Sequence, residues 1–131
     1  MPTIFSRIAR KELPAHIVAE NENYIAFLDI NPLVEGHTLV IPKQEVDYIF
    51  DLEDDVLAGL HVFAKKVAKA IESVVECERI GVTVIGLEVP HAHVHLVPIN
   101  GMDDMNFSHM KLSPTKEELA AMAGKINKAM S

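Results

Sequence analysis

The stretch Pro90-His91-Ala92-His93-Val94-His95-Leu96-Val97-Pro98 carries three of the chain's seven histidines at strict two-residue spacing. Alternation with period two is the pattern of a strand with one face buried. On such a strand Ala92, Val94 and Leu96 face the core, and His91, His93 and His95 form a row of imidazoles on the opposite face. One histidine in a strand is ordinarily a surface or hydrogen-bonded core residue, but a cluster of titratable groups marks a site. Side chains two residues apart on a strand stand about 6.6 Å apart, which puts the outer pair about 13 Å apart. One zinc ion, with bonds of about 2.0–2.1 Å, does not readily gather all three, although two neighbours could chelate with a group from another strand. A larger substrate suits the row better: the middle imidazole is placed as a nucleophile, with its neighbours reaching oxygens on either side of the atom attacked, as phosphoryl chemistry requires.

Composition narrows the class. With 131 residues and 49% hydrophobic content, the chain is expected to form one domain over 1–131 with its own core. The single Cys77 allows no intrachain disulfide and none of the cysteine-rich zinc patterns. The amino terminus has no basic region followed by an apolar block, and no apolar run approaches a membrane span, so a cytoplasmic protein is expected. A net charge of -7 argues against a nucleic-acid scaffold, because a phosphate backbone demands a basic face. A single bound nucleotide needs only local donors.

Outward from the histidines, the chain reads as an α+β domain. Ile4, Phe5, Ile8 and Leu13 suggest a turn or two of helix closed by Pro14. His16 to Glu20 and Tyr24 to Asp29 read as strands joined by the hairpin tip Asn21-Glu22-Asn23, and Gly36 to Pro42 as a third strand with His37 at its start. Asp51 is expected to cap a long helix, with Glu53, Asp54 and Asp55 complementing its dipole and an apolar stripe of Val56, Leu60, Phe63, Val67, Ile71 and Val74. Lys65, Lys66 and Lys69 belong to its solvent face. Arg79 to Ile85 reads as a strand covered on both faces. Asn100 to His109 reads as a loop, and Ser113 or Thr115 opens a final helix whose apolar side is Leu119, Met122, Ala123, Ile126 and Met130.

The string His91-Ala-His93-Val-His95-Leu-Val resembles the histidine-triad (HIT) signature. Thr3 to Pro14, Ala26 to Pro32 and Gly36-His-Thr-Leu-Val-Ile-Pro-Lys43 resemble the amino-terminal half of the same family, so the likeness runs from about residue 3 to residue 98. It implies a five-stranded, mainly antiparallel sheet with one long helix and a carboxy-terminal helix, and a homodimer. It also implies a nucleotidyl hydrolase or transferase of the purine nucleoside phosphoramidase type, acting on purine nucleoside monophosphate conjugates such as those of AMP. In that reading His93 attacks the α-phosphorus, His95 lies near the scissile bridging oxygen, and His91 and His37 complete the supporting network. Asp29 holds the ribose hydroxyls, and Ile30, Phe27, Leu39, Phe5 and Ile8 belong to the nucleotide pocket. No cofactor is implied.

Two departures from the family pattern bear on function. Many bacterial relatives carry two cysteines and a histidine for a structural zinc where this chain has Thr3, Ser6 and Glu45, so no structural metal is expected. Leu87 and Glu88 stand in a short loop where donors to the α-phosphate are expected, and a carboxylate there repels phosphate unless it points away or faces the leaving group. Dinucleoside polyphosphate cleavage, a nucleotide-binding module without strong catalysis, and a metal site built from two triad histidines with His37 or His109 are the alternatives.

Overall fold

The structure is a computed structural model that describes residues 2–131. Among these residues eight α-helices and β-strands follow in order: α1 (Ile4–Ala9), β1 (Ile17–Glu20), β2 (Tyr24–Leu28), β3 (Thr38–Pro42), α2 (Asp54–Val74), β4 (Arg79–Thr83), β5 (Val94–Ile99) and α3 (Lys116–Ala129). The strands form one sheet in the order β1-β2-β3-β5-β4, antiparallel at every pairing. This is the expected α+β architecture.

Alternation sorts the two faces. Tyr24, Ala26, Leu28, Val40, Val94 and Leu96 join Leu60, Phe63, Val67 and Ile71 of α2 and Leu119, Ala123 and Ile126 of α3 in the main core. The residues between them, Ile25, Phe27, Leu39 and Ile41, turn to the other face and pack with Phe5 and Ile8 of α1. His95 is directly opposite Leu39, and Leu39 is opposite Phe27. The face of the sheet under α1 therefore carries an apolar floor that ends in an imidazole.

The helix α2 has a fixed seat. A Cβ placed on Gly59 would stand 2.1 Å from the Tyr24 hydroxyl oxygen. Tyr24 stacks on Phe63 and donates its hydroxyl to the Val56 carbonyl at 2.9 Å, so a glycine is what lets helix and sheet approach here.

Several expectations are corrected. The strand of the triad begins at Val94, so His91 and His93 lie in the bend before it. Pro98 sits inside β5, where the absence of an N–H is tolerated because pairing with β3 has already ended at Leu96. The helix α2 starts at Asp54 with Glu53 at its cap position, and Asp51 ends a separate short turn, Ile49–Asp51. The physical cause is Leu52, a buried residue with extended backbone that breaks the two apart. At the other end of the chain, Thr115 is the cap of α3. Its hydroxyl accepts the Glu118 N–H, and the Glu118 carboxylate accepts the Thr115 N–H. Finally, β4 is the edge of the sheet and is not covered on both faces: Arg79 is exposed and Val82 is 55% exposed.

Candidate functional site

A cavity of about 710 Å³ opens on the α1 side of the sheet. Its walls come from α1 (Phe5, Ile8), β2 and β3 (Phe27, Leu39), the turn after β2 (Asp29, Ile30) and the triad segment (His93, His95). Every residue expected in the nucleotide pocket thus lines one cavity. His37 borders a second cavity of about 460 Å³ that also touches Asp29, and His91 lines neither. The row of three imidazoles is in fact a pair plus one.

Hydrogen bonds fix the tautomers of the imidazoles around the cavity. The Leu33 N–H donates to His37 Nδ1 at 3.0 Å, so that nitrogen holds a lone pair and Nε2 carries the proton. His37 Nε2 lies 3.0 Å from His95 Nδ1 and donates to it, which leaves the His95 proton on Nε2. Burial, reinforced by the nearby Lys111 charge, pushes the His37 pKa down to about 4. Burial, reinforced by His93 and His37, pushes that of His95 down to about 3. Both rings are neutral at pH 7. His93 Nδ1 lies 2.7 Å from the His91 carbonyl oxygen, which can only accept, so the proton is on Nδ1 and the Nε2 edge is free for the cavity. The His93 and His95 rings stand 5.0 Å apart, centre to centre.

Asp29 serves its turn and still keeps an oxygen at the cavity. One carboxylate oxygen accepts the Asn31 N–H at 2.9 Å, and the other lies 3.8 Å from His37 Nε2. Burial pushes its carboxyl pKa up, partly offset by the Asn31 N–H and by Lys111.

Asp29, His37 and His95 bring potential ligand atoms within 4.8 Å of one another. The tautomers oppose a metal there. With Nδ1 of His37 accepting from Leu33, Nε2 holds a proton and has no lone pair to offer. His109 is paired with Asp103 at 3.4 Å and is not among these ligands.

His91 is fully buried and faces α1. Its Nε2 donates to the Pro42 carbonyl at 2.8 Å, and Thr3 Oγ1 lies 2.9 Å from its Nδ1. Strand alternation fails at this residue because the chain is bent: His91 N–H bonds the Val89 carbonyl and Ala92 N–H bonds the Val46 carbonyl. Thr3, Ser6, Glu45 and His91 converge, yet they do not fit zinc, which takes thiolates and imidazoles in structural sites. Here two of the four donors are hydroxyls, already bonded to Glu45 and His91.

Sequence reasoning missed Phe107. It lines the cavity, with its ring 4.8 Å from that of His95 and 6.0 Å from that of His37. Lys111, whose ammonium bonds the Phe107 carbonyl, brings the nearby positive charge. An aromatic residue within a polar loop was the signal available. Glu88 lines the cavity as well, and its charge helps to raise the Asp29 pKa.

An α1-covered antiparallel sheet with two of three alternating histidines at the mouth of an apolar cavity defines a histidine-triad fold and site. The HIT domain pattern matches residues 10–102 of this chain. A protein named adenosine 5'-monophosphoramidase from Schizosaccharomyces pombe is 36% identical over 100 residues, covering 75% of this chain and 74% of that protein. The crystal structure of a HIT-like protein from Bartonella henselae matches with a TM-score of 0.84 at 30% identity, covering 97% of this chain and 95% of that one. A zinc-bound histidine triad protein from Mycobacterium smegmatis matches with a TM-score of 0.83 at 26% identity, covering 97% of this chain and 91% of that one. The chain belongs to the HIT domain family.

Proposed function

We propose that the chain hydrolyses phosphoramidate conjugates of purine nucleoside monophosphates through a nucleotidyl-His93 intermediate. The observation that carries this reading is the bond from His93 Nδ1–H to the His91 carbonyl, which leaves a lone pair on Nε2 beside the Nε2–H of His95. Phe5, Ile8, Phe27 and Leu39 supply apolar walls for a base, and Asp29 an acceptor for ribose hydroxyls.

In the first step His93 Nε2 bonds to the α-phosphorus. The P–N bond breaks with its electron pair going to nitrogen, which takes the Nε2 proton of His95 and leaves as the amine. The positive charge on nucleotidyl-His93 stands one ring away, 5.0 Å, from the negative charge left on His95. In the second step water gives a proton to His95 Nε2 as its oxygen bonds to phosphorus. The bond from phosphorus to His93 then breaks, which restores the lone pair and releases the nucleoside monophosphate.

Intact mass measured after brief mixing with an adenosine phosphoramidate is expected to show a nucleotide added to the chain, absent in His93→Ala. Turnover that survives His93→Ala overturns the reading. Leu87 and Glu88 at the cavity, where phosphate donors were expected, favour a second reading as a nucleotide-binding module of weak activity. Calorimetric binding without turnover across AMP conjugates would select it. The repulsion from Glu88 disfavours a dinucleoside polyphosphate, whose leaving group is itself anionic.

The same reading includes a homodimer in the cytoplasm. Among the described residues the outer edge of β4 has no partner strand, and Phe50 (72% exposed), His61 and Val84 line one shallow cavity beside it. An exposed apolar face next to a strand with one unpaired edge suits a second copy of the chain. Sedimentation of Val82→Glu as a monomer, against a wild-type dimer, is the expected result. Among the described residues no helix is long and apolar enough to cross a membrane.

A further inference from the structure

We infer that Thr3, Ser6 and Glu45 are positioning residues for His93, acting through the ring and carbonyl of His91. The inference rests on the reading of His93 as the nucleophile. With His91 they come from three separate parts of the chain: Thr3 is 42 positions from Glu45 and 88 from His91.

The protons in this cluster have one consistent assignment. An ionised carboxylate can only accept, so Glu45 Oε1 takes the Thr3 N–H at 2.9 Å and the Ser6 hydroxyl proton at 2.5 Å. The Ser6 N–H goes to Thr3 Oγ1 at 3.0 Å. His91 Nε2 is committed as donor to the Pro42 carbonyl, so Nδ1 of the neutral ring needs a donor. The Thr3 hydroxyl, 2.9 Å away, is the group with a proton left to give, because that of Ser6, at 3.3 Å, points to Glu45. Among the described residues no buried side-chain nitrogen or oxygen is without a partner.

The consequence reaches the reacting atom. With both ring nitrogens held, His91 cannot turn, and its carbonyl stays 2.7 Å from His93 Nδ1. That bond keeps the His93 lone pair on Nε2. The same cluster ties α1 down, and Phe5 of α1 packs edge-on against the His93 ring at 5.0 Å. One set of hydroxyls and a carboxylate thus sets both the tautomer and the lateral position of the imidazole.

The test compares Thr3→Val, which removes the donor at constant size, with Thr3→Ser, which keeps it, and adds Glu45→Ala. On an adenosine phosphoramidate, well below the unfolding temperature, Thr3→Val is expected to lower kcat about tenfold while KM changes less, as loss of an orienting partner does. Thr3→Ser restores kcat. Imidazole ¹⁵N spectra are expected to show His93 as the Nδ1–H tautomer in wild type and as a mixture in Thr3→Val and Glu45→Ala. A Thr3→Val variant with a lower unfolding temperature, unchanged kcat and an unchanged His93 spectrum overturns the inference. If wild type turns over no phosphoramidate, the functional reading fails, while the ¹⁵N spectra still decide whether the cluster holds His93.

Discussion

His37 Nε2 donates to His95 Nδ1 across 3.0 Å, in a line of hydrogen bonds that begins at the Leu33 amide. A proton added to either ring breaks a link in that line. The His37 pKa falls from 6.5 to about 4 on folding, so between those values the unfolded chain binds the proton and the folded chain does not. Stability from this group is therefore complete above about pH 6.5 and is lost as pH falls towards 4, by roughly 3 kcal/mol. Chemical denaturation at stepped pH is expected to show a shallower acid limb in His37→Gln. An unchanged limb removes His37 as the cause.

Asp29 gives a test of the ribose assignment. Asp29→Asn is expected to raise KM about tenfold for ribonucleotide conjugates, the loss of one hydrogen bond to a charged acceptor. The same change should narrow the gap between ribose and 2′-deoxyribose substrates. A ratio of kcat/KM for the two sugars that stays as in wild type would place the sugar elsewhere.

Glu88 lines the cavity, and its charge acts on Asp29. Glu88→Gln is expected to tighten AMP binding about threefold at low salt, with the gain shrinking as ionic strength rises. Calorimetry at two salt concentrations reads this. No gain at low salt would mean that the carboxylate does not face the phosphate.

Gly59→Ala sets two effects against each other. Alanine favours a helix by about 1 kcal/mol over glycine, but its methyl would stand 2.1 Å from the Tyr24 hydroxyl oxygen. That ring is pinned by Phe63 and by the Val56 carbonyl, so the clash wins. A net loss of about 1–3 kcal/mol in urea unfolding is expected. A stabilised variant would show that Tyr24 can swing aside.

Much of this was legible in the sequence because it rests on local pattern. Ala92, Val94 and Leu96 alternate into the core, and the stripe from Leu60 to Ile71 is buried as its spacing requires. Thr115 and Glu118 form the capping box their three-residue spacing announces. What escaped depends on distant partners. His91 leaves the histidine row because Thr3 and Pro42 hold its ring, and neither is near it in sequence. Phe107 reaches His95 only after the chain has turned back past β5. The bare face of β4 follows from its place at the sheet edge, which alternation alone does not reveal.

The bend before Val94 separates the rings of His93 and His95 mechanically. His95 is clamped in the ladder between Leu39 and Thr83, whereas His93 hangs one step upstream of it. Insertions or deletions among residues 86–90 would therefore re-aim the His93 ring while leaving His95 anchored in the sheet. Under the proposed mechanism, loop length before the bend would alter which leaving groups are accepted while the sheet stays as it is.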